Sequence, residues 1–132
     1  MSEEGATNCK VVLIGESGVG KTSIIARYTL NSFKSQQLPT TGANFVSKII
    51  ILEDENKSIK FELWDTAGQE RYRSLAKVFY KNAAVCVLVY DITRKSSFEE
   101  LKNFWVTEIK DNTPSDTSKK IYIFIIIIFL YN

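Results

Sequence analysis

The sequence predicts an α/β protein: a mostly parallel sheet with helices on both faces and one antiparallel hairpin strand. Three observations predict it. Short β-branched apolar runs alternate with segments whose apolar residues fall at helical spacing. One run, residues 83–90, is apolar almost throughout, the pattern of a strand covered on both faces. A glycine-punctuated loop stands between the first strand and the first helix.

Residues 1–8 are polar and small and form a flexible tail; residues 9–132 form the domain. Residues 10–14 (Lys-Val-Val-Leu-Ile) are a buried strand, 15–20 the glycine loop, and 21–30 a helix carrying Ile24, Ile25 and Tyr28 at helical spacing. Residues 31–44 have no clear period and contain Pro39 and Gly42, a surface loop long enough to expect a function. Residues 45–52 and 58–64 are expected to form a hairpin around the polar turn 53–57. In its second strand Ile59, Phe61 and Leu63 alternate with Lys60 and Glu62, giving one buried face.

A second loop follows at 65–70, and 72–80 place Leu75, Val78 and Phe79 at helical spacing. After the apolar strand, Ser96 or Ser97 is expected to cap a helix, with Glu99 or Glu100 completing a capping box. Phe98, Leu101, Trp105 and Ile109 are its expected apolar face. Residues 112–120 are a polar linker, and Ile121 begins another strand.

Composition narrows the function. The net charge of +2, evenly spread, argues against nucleic acid as partner. The chain has no histidine, which removes Ser-His-Asp and Cys-His catalysis and His-bearing zinc sites. Cys9 and Cys86 form no CxxC, and Cys86 lies in the apolar run, as expected of a buried thiol in a reducing compartment. The start Met1-Ser2-Glu3-Glu4 has neither a basic region before an apolar core nor a glycine for myristoylation. A cytoplasmic protein is the expectation.

Gly15-Glu16-Ser17-Gly18-Val19-Gly20-Lys21-Thr22 matches G-x-x-x-x-G-K-[ST] in full, between a strand and a helix. The spacing suits phosphate. Glycines let successive N–H groups turn inward on anionic oxygens, and the helix adds the positive end of its dipole. Lys21 would reach the β- and γ-phosphates, and the Thr22 hydroxyl would bind magnesium. A magnesium nucleotide site also needs an acidic residue at the end of a neighbouring strand, and Asp65 ends the strand 58–64. The next residues, Thr66-Ala67-Gly68-Gln69, supply a glycine N–H for the γ-phosphate and an uncharged amide to orient water.

The string Trp64-Asp65-Thr66-Ala67-Gly68-Gln69-Glu70 resembles the signature of Ras-like small GTPases, as does the loop Gly15–Thr22. Three further stretches resemble the Rab branch: Thr41-Gly42-Ala43-Asn44-Phe45 its effector loop, Arg71-Tyr72-Arg73-Ser74-Leu75 and Phe79-Tyr80-Lys81-Asn82-Ala83 its switch II segments. The Gly-Ala-x-Phe form is closest to Rabs of the early endocytic route. The resemblance covers about residues 9–120. It implies a P-loop NTPase fold and a GTP/GDP switch in vesicular trafficking, with endosomal or vesicle membranes as its place of action. An exchange factor, a GTPase-activating protein and effectors are the implied partners.

By position, the resemblance assigns nucleotide binding to Gly15, Ser17, Gly18, Val19, Gly20, Lys21, Thr22, Ser23, Asp65 and Gly68. Thr40 would bind magnesium beside Thr22 and Asp65, Phe33 would rest against the base, and Gln69 would orient the attacking water. No arginine stands before Thr40 in the loop, so hydrolysis without a partner is expected to be slow.

Two departures accompany the resemblance. Thr41 stands where the family usually has an aliphatic residue. The strand beginning at Ile121 runs on as Ile-Tyr-Ile-Phe-Ile-Ile-Ile-Ile-Phe-Leu-Tyr-Asn, without the Asn-Lys-x-Asp that reads guanine and without a prenylation cysteine or other membrane anchor. The expectation is an incomplete G domain lacking the last strand and helix, with foreign sequence after the strand start. Its β-branched run is too short for a transmembrane helix, which needs ~20 residues. Two other functions stay open: a remnant that does not retain nucleotide, and a P-loop protein that binds ATP.

Overall fold

The computed structural model describes residues 5–31, 44–66, 80–111 and 121–127, the last segment and Asn44 by backbone alone. The expected helix 72–80, apart from Tyr80, and the linker 112–120 lie outside these residues.

Strand β1 (Thr7–Ile14) runs through the phosphate-loop motif into helix α1 (Lys21–Leu30). The hairpin follows as β2 (Asn44–Leu52) and β3 (Lys57–Asp65), joined by a short 3-10 turn, Glu53–Glu55, that Asn56 closes in the left-handed region at φ 49°. Strand β4 (Val85–Asp91) leads into α2 (Lys95–Glu100). The helix continues through a π-turn, Leu101–Trp105, into α3 (Val106–Asp111), and β5 (Ile121–Ile127) ends the described chain.

The sheet order is β2-β3-β1-β4-β5. β1 pairs in parallel with β3 and with β4, β4 in parallel with β5, and among the described residues only β2 with β3 runs antiparallel. The parallel sheet with one antiparallel hairpin strand is therefore as expected. The chain leaves β1 toward β3 on one side and later crosses to β4 on the other. The carboxyl ends of β1, β3 and β4 thus lie side by side, where open α/β sheets bind ligands.

Period-two alternation explains the two layers. Val12, Ile14, Cys86 and Leu88 face one way and pack with Tyr80, Ala83, Leu101, Trp105 and Ile109. Val11, Leu13, Val87 and Val89 face the other way and pack with Val19, Ile25 and Leu63. Each central strand is covered on both faces, so β4 needs apolar residues at nearly every position. Neither cysteine forms a disulfide; Cys86 is fully buried and Cys9 partly so.

Some expectations need correction: Thr7 and Asn8, expected in the flexible tail, open β1 and pair with Ile59 and Lys60 of β3, because the parallel ladder extends the strand beyond its apolar run. In β3, Leu63 and Phe61 belong to the α1-side core, as the alternation predicts, while Trp64 near the strand's end packs against the opposite one. Neither Ser96 nor Ser97 is the cap, because the helix opens at Lys95 with Arg94 in the cap position, two residues before Ser96. Ser97 is instead fully buried in the first turn. Its Oγ accepts the Asp91 N–H at 3.0 Å and donates to Arg94 O at 2.7 Å, and Glu99 pairs with Lys95 at 3.6 Å.

The helix also buries Ser97, Leu101, Trp105 and Ile109, a strict four-residue spacing, and leaves Phe98 at 39% exposure, against Tyr90 at 5.0 Å. An α-helix advances ~100° per residue, so three four-residue steps drift by ~120° off one face. The wide turn at 101–105, closed by the Val106 N–H on Leu101 O, takes part of that drift back.

Candidate functional site

The site grows from the end of β1. Gly15 passes so close to β4 that an added Cβ would stand 2.2 Å from Val89 O and 3.2 Å from Val19 Cγ2. Gly18 and Gly20 hold φ at 80° and 106°, conformations that L side chains rarely adopt. Between them Val19, with no exposure at all, anchors the loop in the core beside Leu13 and Ile25. Helical bonding begins with the Ile24 N–H on Gly20 O at 2.9 Å. The turn before that bond, where Lys21, Thr22 and Ser23 stand, is the positive end of the α1 dipole.

Lys21 is only 5% exposed, although it is charged. Its Nζ donates to Gly15 O and to Glu16 O, the latter at 3.3 Å, which fixes the ammonium on the loop beside the helix terminus. The Thr22 hydroxyl donates to Asp65 Oδ2, and Asp65 is 1% exposed. These two residues are 43 positions apart. The β1–β3 register joins them, because Leu13 lies opposite Asp65 and the loop rises from the next turn. Thr66, the residue after Asp65, donates from Oγ1 to Leu13 O at 3.1 Å and ties the two strand ends together.

A third strand end completes the edge. Asp91, 7% exposed, closes β4, and its Oδ1 accepts the Thr93 N–H at 2.8 Å and the Thr93 hydroxyl at 2.6 Å. The Thr93 hydroxyl is the main reason its carboxyl titrates below the usual range. The Thr93 N–H and the Arg94 charge add to the effect, and burial opposes it. Arg94 reaches back over the loop to Ser17 O at 3.0 Å.

The structure thus brings together Gly15, Ser17, Gly18, Val19, Gly20, Lys21, Thr22, Ser23 and Asp65. Phe33, Thr40, Gly68 and Gln69 lie outside the described residues. The sequence reading missed Thr66, Asp91, Thr93 and Arg94. The signal available for Asp91 was the one used for Asp65, a carboxylate where an apolar strand stops. Among the described residues no three His, Cys, Asp or Glu side chains converge, so Thr22 with Asp65 is an oxygen-donor pair rather than a closed protein cage. Hydroxyl and carboxylate oxygens suit a hard cation that keeps most of its water, as magnesium does.

Comparison with known proteins agrees with this geometry. The Ras family model matches residues 10–127, from β1 through β5. The chain is 41% identical over 109 residues to the Ras-like GTP-binding protein RYL2 of Yarrowia lipolytica, covering 83% of this chain and 51% of that protein. It is 45% identical over 107 residues to the GTP-binding protein ypt5 of Schizosaccharomyces pombe, covering 81% and 50%. To the human Ras-related protein Rab-22A it is 46% identical over 105 residues, covering 80% and 53%. The chain spans about half the length of the curated relatives it matches. A family match over the sheet, with a loop whose glycines, lysine and threonine meet Asp65 at the carboxyl end of β3, makes this chain a Rab-like member of the Ras family of small GTPases.

Proposed function

We propose that this chain binds a guanine nucleotide with Mg2+ and hydrolyses GTP, as a switch in vesicular trafficking. The observation that carries the reading is the convergence of Lys21, Thr22 and Asp65 at the amino end of α1. Backbone N–H groups of Gly15, Ser17, Gly18, Val19 and Gly20 would line the phosphates, with the Lys21 charge beside them. Thr22 and Asp65 would hold the magnesium ion, with Thr40 as a further ligand. When bound, the ion neutralises charge on the phosphate oxygens. Ser23 would serve the phosphates from the first turn of α1. Gly68 and Gln69, by their place in the motif, would face the γ-phosphate and the attacking water, and Phe33 the base.

Partner binding fits the hairpin. Phe45, at the end of the effector-loop signature, is 48% exposed and rests on Trp64 at 5.0 Å, presenting an aromatic surface beside the site. Exchange factor, GTPase-activating protein and effectors would meet the protein there and at the loops, on the cytosolic face of a membrane. Among the described residues no helix is long and apolar enough to cross one.

The test is Mg2+-dependent binding of fluorescent GDP and GTP to the purified chain, with ATP as competitor and Lys21→Ala as control. Tight binding displaced by GTP but not ATP, and lost in Lys21→Ala, is the expected result. Displacement by ATP as well would favour an ATP-binding P-loop protein. No binding by folded, soluble chain would overturn the proposal.

A further inference from the structure

Arg94 sits at the entry to α2, and its guanidinium lies over a loop 77 residues earlier in the chain. Nη2 donates to Ser17 O at 3.0 Å and is the nearest atom, at 3.7 Å, to a Cβ placed on Gly18. Nη1 lies 3.9 Å from Glu16 Oε2, and Nε lies 3.6 Å from Asp91 Oδ2. We propose that Arg94 is a positioning residue that braces the tip of the phosphate loop against the carboxyl end of β4, and so governs how fast nucleotide leaves. This inference rests on the nucleotide-binding reading above.

The far end of the brace is rigid. Asp91 is held by Thr93 through Oδ1 and by Ser97 through its own N–H, so Oδ2 offers a fixed anchor. The near end needs a restraint. The loop's own turn bond, Val19 N–H to Glu16 O, is long at 3.4 Å, and Gly18 contributes no side chain to hold the backbone. A planar guanidinium with a rigid fork of donors spans Ser17, Glu16 and Asp91 together, whereas an ammonium is a point charge on a flexible stem. Arg94 also offsets the Glu16 carboxylate, which stands on a loop built to receive anions. The guanidinium and Glu16 side chain are each about 40% exposed, so their ion pair adds little to global stability. The effect is local order in the loop.

The experiment uses Arg94→Ala, Arg94→Lys and Arg94→Gln in the whole chain, with two measurements. The first is release of fluorescent GDP in a chase; the second is amide exchange at Val19, relative to Ile24 in α1, without added nucleotide. Arg94→Ala is expected to release GDP about tenfold faster, the loss of one charge-assisted hydrogen bond, with association unchanged. Val19 exchange should rise by a similar factor while Ile24 stays put, and Arg94→Lys should restore only part of both. Unchanged release and unchanged Val19 exchange would overturn the brace, and so would equal acceleration at Val19, Ile24 and the core strands, the mark of a merely structural role. Failure of the wild-type chain to bind GDP would count against the proposed function, while Val19 exchange would still decide the brace. If Arg94→Ala does not fold, Arg94→Gln and Arg94→Lys carry the test, and unchanged Val19 exchange in both refutes it.

Discussion

Gly15→Ala tests whether the site's backbone is set by steric contact between β1 and β4. The new Cβ would stand 2.2 Å from Val89 O and 3.1 Å from Val89 C, against the 3.4 Å at which ordinary contact begins. The shortfall is about 1.2 Å against the carbonyl oxygen, and both partners are backbone within one sheet. β1 and β4 are hydrogen-bonded up to Ile14↔Leu88, one residue before the clash, so neither strand can withdraw alone. Overpacking a filled interior costs ~1–3 kcal/mol, and a clash with fixed backbone belongs at the upper end.

With a slope of ~1.5 kcal/mol per molar urea for a domain of this size, a loss of ~3 kcal/mol lowers the unfolding midpoint by about 2 M. Fluorescence of Trp105, buried in the core, and Trp64, packed against it, reports the transition. Gly18→Ala is the comparison. Its backbone also has positive φ, but its Cβ meets nothing closer than the Arg94 guanidinium at 3.7 Å. It should lose only the left-handed strain of ~1–2 kcal/mol. If Gly15→Ala costs no more than Gly18→Ala, the contact with Val89 does not fix the loop.

Four further outcomes are expected. Asp65→Asn and Thr22→Ala should each weaken the magnesium dependence of GDP binding by tenfold or more, roughly the worth of one charge-assisted contact, measured by titrating Mg2+ against fluorescent GDP. Ser97→Ala leaves the Asp91 N–H without its buried acceptor and should cost ~1–3 kcal/mol in urea unfolding. Single-turnover GTP hydrolysis should be slow without a partner and slower in Gln69→Ala; fast unaided turnover would contradict the assigned roles.

The fourth concerns Tyr80. Burial, and then Glu108 through its charge and a 3.1 Å hydrogen bond, push the Tyr80 hydroxyl up to about 12 from an ordinary value of 10.0. A raised folded value favours the protonated, folded form. Its stabilisation is therefore full below pH 10 and lost as pH rises through about 12. Urea midpoints measured from pH 9 upward should fall in the wild type and fall less in Tyr80→Phe.

How much of this was legible in the sequence depends on the range of each interaction. The phosphate loop is local: its glycines, Lys21 and Thr22 lie within eight residues, and spacing alone identifies them. Asp65 was found because a strand end has a sequence signature even when its partner is distant. The helix after β4 was placed correctly, but its first turn was misread. Ser97 looks like a cap by composition, yet it spends its hydroxyl on Asp91 and Arg94, and no local pattern encodes that choice. Arg94 was invisible for the same reason. Nothing within ten residues of it points to Ser17, and only the β1–β4 register brings the two together.

That register also couples what otherwise look like separate features. Leu13 opposite Asp65 sets the Thr22–Asp65 contact, and Ile14 opposite Leu88 carries Gly15 onto Val89. A slip of one residue in either pairing would move the carboxylate away from Thr22, or relieve the contact that demands glycine, and would turn each strand's core face to the opposite layer. Packing of Val11, Val12, Leu13 and Ile14 against two different helices therefore fixes the site's geometry as well as the fold. Conservative changes in β1 should accordingly be felt at the phosphate loop. Val12→Ala, in the layer opposite Val19, removes packing at 0% exposure and should lower stability by about 2 kcal/mol. If the strand ends act as one unit, Val12→Ala should also raise Val19 amide exchange, though no atom of the loop is touched. Exchange at Val19 unchanged, with stability reduced, would show that the loop is held by Arg94 and Val19 alone and not by the register of β1.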